Sequence, residues 1–186
     1  QGYTQTTPLQ LCLMTAQIAN GGYKIKPKII VNNNPLTLEE AKKVMQLQSL
    51  KTPNTKLFDD QKNIKIVQEA MFSSTNERYG TSYRSRIDDP KYQFAGKTGT
   101  AQVKRISKRE RELDLKLEDI PYNDRDHALY VAYGPYKKPR YALSIIVEHG
   151  GSGSKAAAPM AKELFKLIID RNEMRNKQSN FEEVDI

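Results

Sequence analysis

The 186 residues contain no tryptophan, one cysteine and two histidines. A single thiol, Cys12, excludes an internal disulfide and a cysteine-based metal cluster, and says nothing about redox compartment. His127 and His149 are too few to suggest a metal site, and no cofactor, metal or organic, is implied. Long apolar runs are also missing. The longest, "LSIIV" at 143 to 147 and "LFKLIID" at 164 to 170, fall far short of the roughly 18 to 20 residues that span a bilayer. No basic stretch leads into an apolar one, and the first residue is Gln1 rather than methionine. The sequence therefore reads as a piece of something longer, with any anchor or export signal upstream. Internal repeats and low-complexity blocks are absent.

Positive charge is in excess: 30 Lys and Arg against 22 Asp and Glu, a net +8. That balance fits nucleic acid, an anionic envelope polymer or a lipid surface. A lysine-rich solvated surface accounts for it without a dedicated patch. With 38% hydrophobic residues the chain supports one domain with a real core.

Helix punctuation is strong at "TTPLQLCLMTAQIANGG". Thr7 is a candidate N-cap, Pro8 sits at the first helical position, Gln10 completes a capping box and Asn20-Gly21-Gly22 ends the run. Leu9, Leu11, Leu13, Met14 and Ile18 lie all round this helix, which predicts burial at the centre of the core. "YKIKPKIIV" at 23 to 31 alternates like a half-exposed strand, with Pro27 confining it to an edge or a short extended piece. A second capping box, Thr37 and Glu40, opens a helix over 38 to 50. A further helix follows at 59 to 74, with Ile64, Val67 and Met71 on one side.

"HALYVAYGP" and "RYALSIIVEHG" are strands joined by "YKKP", which predicts an antiparallel hairpin. Together with residues 92 to 103 they predict a three-stranded antiparallel sheet, its other strands at 127 to 136 and 140 to 149. The charged run 104 to 126 reads as an excursion between strands. "KAAAPMAKELFKLIIDRN" predicts a helix over 155 to 172 that packs on the sheet through Met160, Leu164, Phe165, Leu167 and Ile168, and 176 to 186 reads as a flexible tail. The fold class is α+β.

Within the first strand lies "QFAGKTGTAQV", with Lys97-Thr98-Gly99-Thr100 at its centre. Gly99 lacks a Cβ, so a substrate is able to lie against the strand and pair with it like an added strand. The plain alternative is a strand that happens to contain a glycine. Position in the fold separates the two, because a Lys-Thr-Gly box on a strand of such a sheet is one of three motifs of serine penicillin-binding enzymes, beside Ser-x-x-Lys and Ser-x-Asn.

The resemblance extends over nearly the whole chain. "QGYTQTTPLQL", "ANGG", "GTSYRSRI", "FAGKTGTAQV", "RDHALYVAYGP" and "VEHGGSGSKAAAPMA" resemble the C-terminal part of the class B penicillin-binding protein 2 family, the elongation transpeptidases, α-proteobacterial members in particular. Residues 32 to 60 and 104 to 126 depart from the pattern. The resemblance implies the C-terminal half of the penicillin-binding and serine β-lactamase-like fold across 1 to 186. It implies that Lys97 supplies positive charge, that Thr98 and Thr100 hydroxyls hold a terminal carboxylate, and that the Thr100 N–H is half of an oxyanion hole; Lys97 and Thr100 are thus the catalytic candidates, and Lys97, Thr98, Gly99 and Thr100 the substrate-binding ones. The implied reaction is serine acyl transfer between peptidoglycan stem peptides, with β-lactams as mimics. The implied setting is the inner membrane with the catalytic domain on the periplasmic side, and the implied partners are the N-terminal part of the same protein and the elongation machinery. Self-association of a piece lacking that part is a further expectation.

Two matches to the remaining motifs are rejected. Ser152-Gly153-Ser154-Lys155 comes after the Lys-Thr-Gly box, in a glycine-rich loop, whereas in the family the nucleophile motif comes first, at a buried helix start where lysine activates serine. Ser74-Thr75-Asn76 falls at a helix end, where such residues serve capping. The nucleophile is therefore expected upstream of Gln1, and the 186 residues alone are expected to be inactive. Arg84 and Arg86 read as partners for carboxylates, Asp126 and His127 as orienting the start of a strand, and His149 as bordering the cleft. A D,D-carboxypeptidase or β-lactamase of the same fold would carry the same box. A basic nucleic-acid-binding module, using 104 to 116 and Lys24, Lys26 and Lys28, is disfavoured because no aromatic stacking pattern accompanies the charge, so no nucleic acid partner is expected.

Overall fold

The computed structural model describes residues 5–28, 55–104 and 115–182. Its centre is one three-stranded antiparallel sheet in the order β1-β2-β3, with β1 Ala95–Ala101, β2 His127–Gly134 and β3 Tyr141–Val147. All three strands fall inside the predicted ranges. The register places Ala95 opposite Tyr133, Gly99 opposite Leu129 and Ala101 opposite His127.

Side-chain alternation divides β2 between two layers. Tyr130 and Ala132 join Phe94, Ile145 and Phe165 in one core. Tyr133 turns the other way and packs with Met71 and Ala95, flanked by Ile18, Phe72 and Val131. The first core is covered by helix α3, Ala158–Glu182, which follows a π-helical turn at Gly153–Ala157. The second is covered by α1, Pro8–Ala19, and α2, Gln61–Asn76.

Helix α1 starts as its sequence dictates: the Gln10 N–H donates to Thr7 Oγ1 at 3.2 Å and the Thr7 N–H to Gln10 Oε1 at 2.8 Å. Its predicted place at the centre of the core is not borne out. Only Thr15 is fully buried, while Leu9 is 54% and Met14 44% exposed. One face lies on the sheet, where Cys12 Sγ reaches Ala142 O at 3.4 Å; the opposite apolar face is uncovered among the described residues. An apolar circumference reveals burial capacity, and which side is covered depends on what packs there.

A similar correction applies to α3. The seam runs through Ala157, Ala158, Ala161, Phe165 and Ile169, all buried, whereas Met160, Leu164 and Leu167 face outward. Small side chains let the turn and helix approach the sheet backbone closely; a Cβ on Gly153 would sit 2.8 Å from the Gly99 carbonyl oxygen. Phe94 and Phe165 stack at 4.9 Å between their ring centroids. The helix backbone continues to Glu182, ten residues past the expected end, because no glycine or proline interrupts 160 to 182. In α2, Ile64 and Met71 are buried as predicted but Val67 is 40% exposed.

The strand expected at 23 to 31 is reduced to one bridge, Tyr23 with Lys56, and 24–28 carry no strand. Pro27 removes a ladder donor, which accounts for the break. Residues 29–31 and the helix expected at 38–50 lie outside the described residues, as does most of the charged 105–116 stretch. Of the arginines expected to meet carboxylates, Arg86 pairs with Asp88 at 2.9 Å. Lys91 ties the approach to β1 to α3 through Asp170 at 3.1 Å and Glu173 at 2.9 Å. Among the described residues no helix is long and apolar enough to cross a membrane, and no cluster of His, Cys, Asp and Glu is placed to hold a metal ion.

Candidate active site

Among the described residues strand β1 has one neighbour, β2, so no strand of theirs pairs with its other edge. Which residues point their backbone there follows from alternation along an antiparallel pair. The Gly96 N–H donates to Thr75 Oγ1 at 3.0 Å, away from β2, and the Thr98 carbonyl accepts from Lys97 Nζ at 2.9 Å on the same side. The two-residue period then turns the Thr100 N–H and C=O outward as well. All four residues of the box are at least partly accessible. The structure thus brings the ammonium of Lys97, the hydroxyl of Thr98 and outward backbone donors to one edge, with Thr100 one period further along it.

Both ends of that edge are clamped. On the near side, Tyr130, Thr75 and Ser82 form a buried polar cluster: Tyr130 Oη lies 2.9 Å from Thr75 Oγ1 and 3.0 Å from Ser82 Oγ, and Thr75 in turn holds Gly96. Burial pushes the Tyr130 phenol above its usual pKa, with the Ser82 and Thr75 hydroxyls acting in the opposite direction, so the phenol stays neutral as a buried hydrogen-bonding group. Asn76 Nδ2 adds a bond to the Phe94 carbonyl at 2.9 Å. At the far end, Ala101 pairs with His127, whose Nδ1 accepts the His149 N–H at 3.0 Å. His149 takes a left-handed φ of 56° and its Nδ1 lies 3.0 Å from Arg125 O. Asp126 Oδ1 accepts the Val103 N–H at 3.3 Å. Asp126 and His127 therefore anchor the strand end, as their sequence positions suggested, and His149, expected to border the cleft, is bonded into the same anchor.

Neither rejected motif assembles a nucleophile. Ser152 Oγ is hydrogen-bonded to Ser154 Oγ at 3.0 Å, and Lys155 is exposed. Ser74, Thr75 and Asn76 occupy the last turn of α2, where Thr75 is buried and Asn76 bonds two carbonyls.

Comparison with known proteins identifies the family. The profile of the penicillin binding protein transpeptidase domain matches residues 1–166. The chain belongs to this family. Among relatives, it is 32% identical over 170 residues to the peptidoglycan D,D-transpeptidase MrdA of Salmonella typhimurium, covering 91% of this chain and 26% of that protein. To the protein of the same name from Acinetobacter baumannii it is 34% identical over 171 residues, covering 89% and 22%. Of solved structures, penicillin-binding protein 2 of Helicobacter pylori in complex with MreC aligns with a TM-score of 0.63 at 31% identity, over 90% of this chain and 26% of that one. Penicillin-binding protein 2 of Pseudomonas aeruginosa in complex with WCK 5153 gives 0.63 at 30%, over 90% and 31%. The chain spans about a quarter of the length of the curated relatives it matches. The α+β fold with its three-stranded sheet matches a part of the fold of these neighbours.

Sequence reasoning missed the residues that hold the box. Thr75, Ser82 and Tyr130 lie on three separate elements, so no local spacing joins them. The Gly80-Thr81-Ser82 stretch just after a helix end was the available signal, small polar residues where a helix has stopped.

Proposed function

We propose that this chain is the substrate-anchoring part of a peptidoglycan D,D-transpeptidase. The observation that carries the reading is the outward edge of β1, where Lys97, Thr98 and Thr100 converge on a strand rigidly held at both ends. A stem peptide lies along that edge as an added strand. Its terminal carboxylate meets the Thr98 and Thr100 hydroxyls near the Lys97 charge, and the Thr100 N–H donates to the developing oxyanion, a contribution whose loss in comparable enzymes costs about 10² to 10³ in rate.

A serine in a part of the longer protein that the 186 residues do not include attacks the penultimate D-Ala carbonyl and releases D-Ala. The acyl group then passes to an amine of a neighbouring stem. β-Lactams mimic the stem and stall the acyl-enzyme. The setting is the inner membrane with this domain on the periplasmic side, among the elongation machinery; the Helicobacter pylori relative bound to MreC supports the partner, not the membrane placement.

The test is labelling with a fluorescent penicillin followed by denaturing electrophoresis. The full-length protein should label at one serine outside these residues, and the 186-residue chain should not label, since removing the nucleophile of a comparable serine enzyme costs about 10⁶ in turnover. Label on Ser152 would overturn the reading. Uncovered Leu9, Met14, Leu164 and Leu167 should also make the isolated chain self-associate. A clean monomer by light scattering would count against that.

A further inference from the structure

Thr81 sits outside the box yet touches it. Its Oγ1 lies 3.2 Å from Thr98 Oγ1 and, on the other side, Ser74 Oγ lies 3.2 Å from Thr81 Oγ1. Lys97 Nζ reaches Thr98 Oγ1 at 3.5 Å. The loop carrying Thr81 is fixed to the end of α2, where the Ser82 N–H and Ser82 Oγ both donate to the Ser74 carbonyl at 3.0 Å. Three hydroxyls, Ser74, Thr81 and Thr98, thus form a row that ends at the open edge of β1.

A hydroxyl has one proton to give and lone pairs to receive. If Thr98 spends its proton on Thr81, it has none for a ligand. If Ser74 donates to Thr81 and Thr81 to Thr98, the Thr98 proton is free to point outward, and each bond polarises the next. An anion at the edge only accepts, so it selects the second direction.

We propose that Thr81 is a positioning residue for anion recognition: it donates into Thr98 and thereby aims the Thr98 hydroxyl proton at the carboxylate of the ligand. This rests on the reading of β1 as the carboxylate-holding strand. Thr81 itself touches no reacting atom, and it is exposed, so its isosteric replacement by valine leaves the buried cores intact.

The experiment uses the full-length protein and measures acylation rates with a fluorescent penicillin bearing its free carboxylate and with the methyl ester of that compound. Thr81→Val should slow the acid about three- to tenfold, the range of one hydrogen bond, and leave the ester rate unchanged. Thr81→Ser, which keeps the donor, should restore the acid rate, and Thr81→Val combined with Thr98→Val should be no slower than Thr98→Val alone. If Thr98→Val slows the acid but Thr81→Val does not, or if Thr81→Val slows acid and ester alike, Thr81 has no such role. If Thr98→Val itself leaves the acid rate unchanged, the carboxylate-holding strand is wrong and the inference falls with it.

Discussion

Two glycines in β1 should fail in different ways when each is given a methyl group. A Cβ on Gly96 would lie 2.5 Å from Cζ and 2.7 Å from Cε1 of Tyr130, about 1 Å inside ordinary carbon contact. The ring has nowhere to retreat. It is fully buried, edge-on to Phe94 at 6.5 Å, and its hydroxyl is held by Thr75 and Ser82. Overpacking of this kind costs about 1 to 3 kcal/mol, and pulling a buried phenol off its partners adds about 1 to 3. Gly96→Ala should therefore destabilise by about 2 to 6 kcal/mol, against total stabilities of about 5 to 15. For Gly99→Ala the added atom meets only Leu129 Cβ, at 3.3 Å, on the strand face shared with Lys97. That variant should fold normally but lose acylation about tenfold or more, because the methyl occupies the space left for the ligand. The assay is thermal unfolding of the full-length protein beside penicillin acylation. A Gly96→Ala melting temperature within about 1 °C of the parent would refute the packing argument, at the usual conversion of about 2 to 4 °C per kcal/mol. Full acylation by Gly99→Ala would refute the assignment of that face to the ligand.

Phe165→Ala removes the ring stacked on Phe94 and should cost about 3 to 5 kcal/mol, read as a fall in the denaturant midpoint. Thr75→Val takes one of two partners from the Tyr130 hydroxyl, leaving Ser82, and strands the Gly96 N–H; it should cost about 1 to 3 kcal/mol, and a midpoint equal to the parent's would show that the buried cluster is not holding β1. The Tyr130 phenol is raised above its unfolded value by burial, so the stability that its neutral form contributes is complete below pH ~10 and is lost as pH rises through the higher folded value. Urea midpoints of the parent should accordingly fall relative to Tyr130→Phe only above pH ~10, and parallel curves would remove Tyr130 as the cause.

What the sequence displayed was local. The Thr7 and Gln10 capping box, the hairpin of β2 and β3 and the Lys-Thr-Gly-Thr strand are each specified by neighbours within a few residues, and each stands where expected. Coverage was not legible. Leu9, Met14, Leu164 and Leu167 carry the same apolar character as Phe165 and Ile169, and only the approach of a particular surface separates exposed from buried. The α3 seam was misread for that reason, since alanine is a weak signal of burial yet the side chain that lets a helix lie against a sheet backbone. The cluster around Tyr130 was hidden differently: its members are 48 and 55 residues apart in pairs with the tyrosine, and hydroxyls carry no periodicity that announces a partner.

The clamps explain how a short edge is able to act as a binding surface. An isolated strand edge is pliable, and ordering it on ligand arrival would cost about 1 to 2 kcal/mol per residue. Here Gly96 is bonded to Thr75, Ala101 is paired with His127, and the turn at Gly153 presses on Gly99 from one side, so residues 97 to 100 are already extended and aligned. The ordering cost is met during folding by buried contacts remote from the ligand, which is what preorganisation means physically. It follows that weakening a clamp should appear first in ligand capture at the edge: a variant of Thr75 that still folds should acylate more slowly, although Thr75 is fully buried and its hydroxyl is bonded to Gly96, outside the Lys97 to Thr100 box.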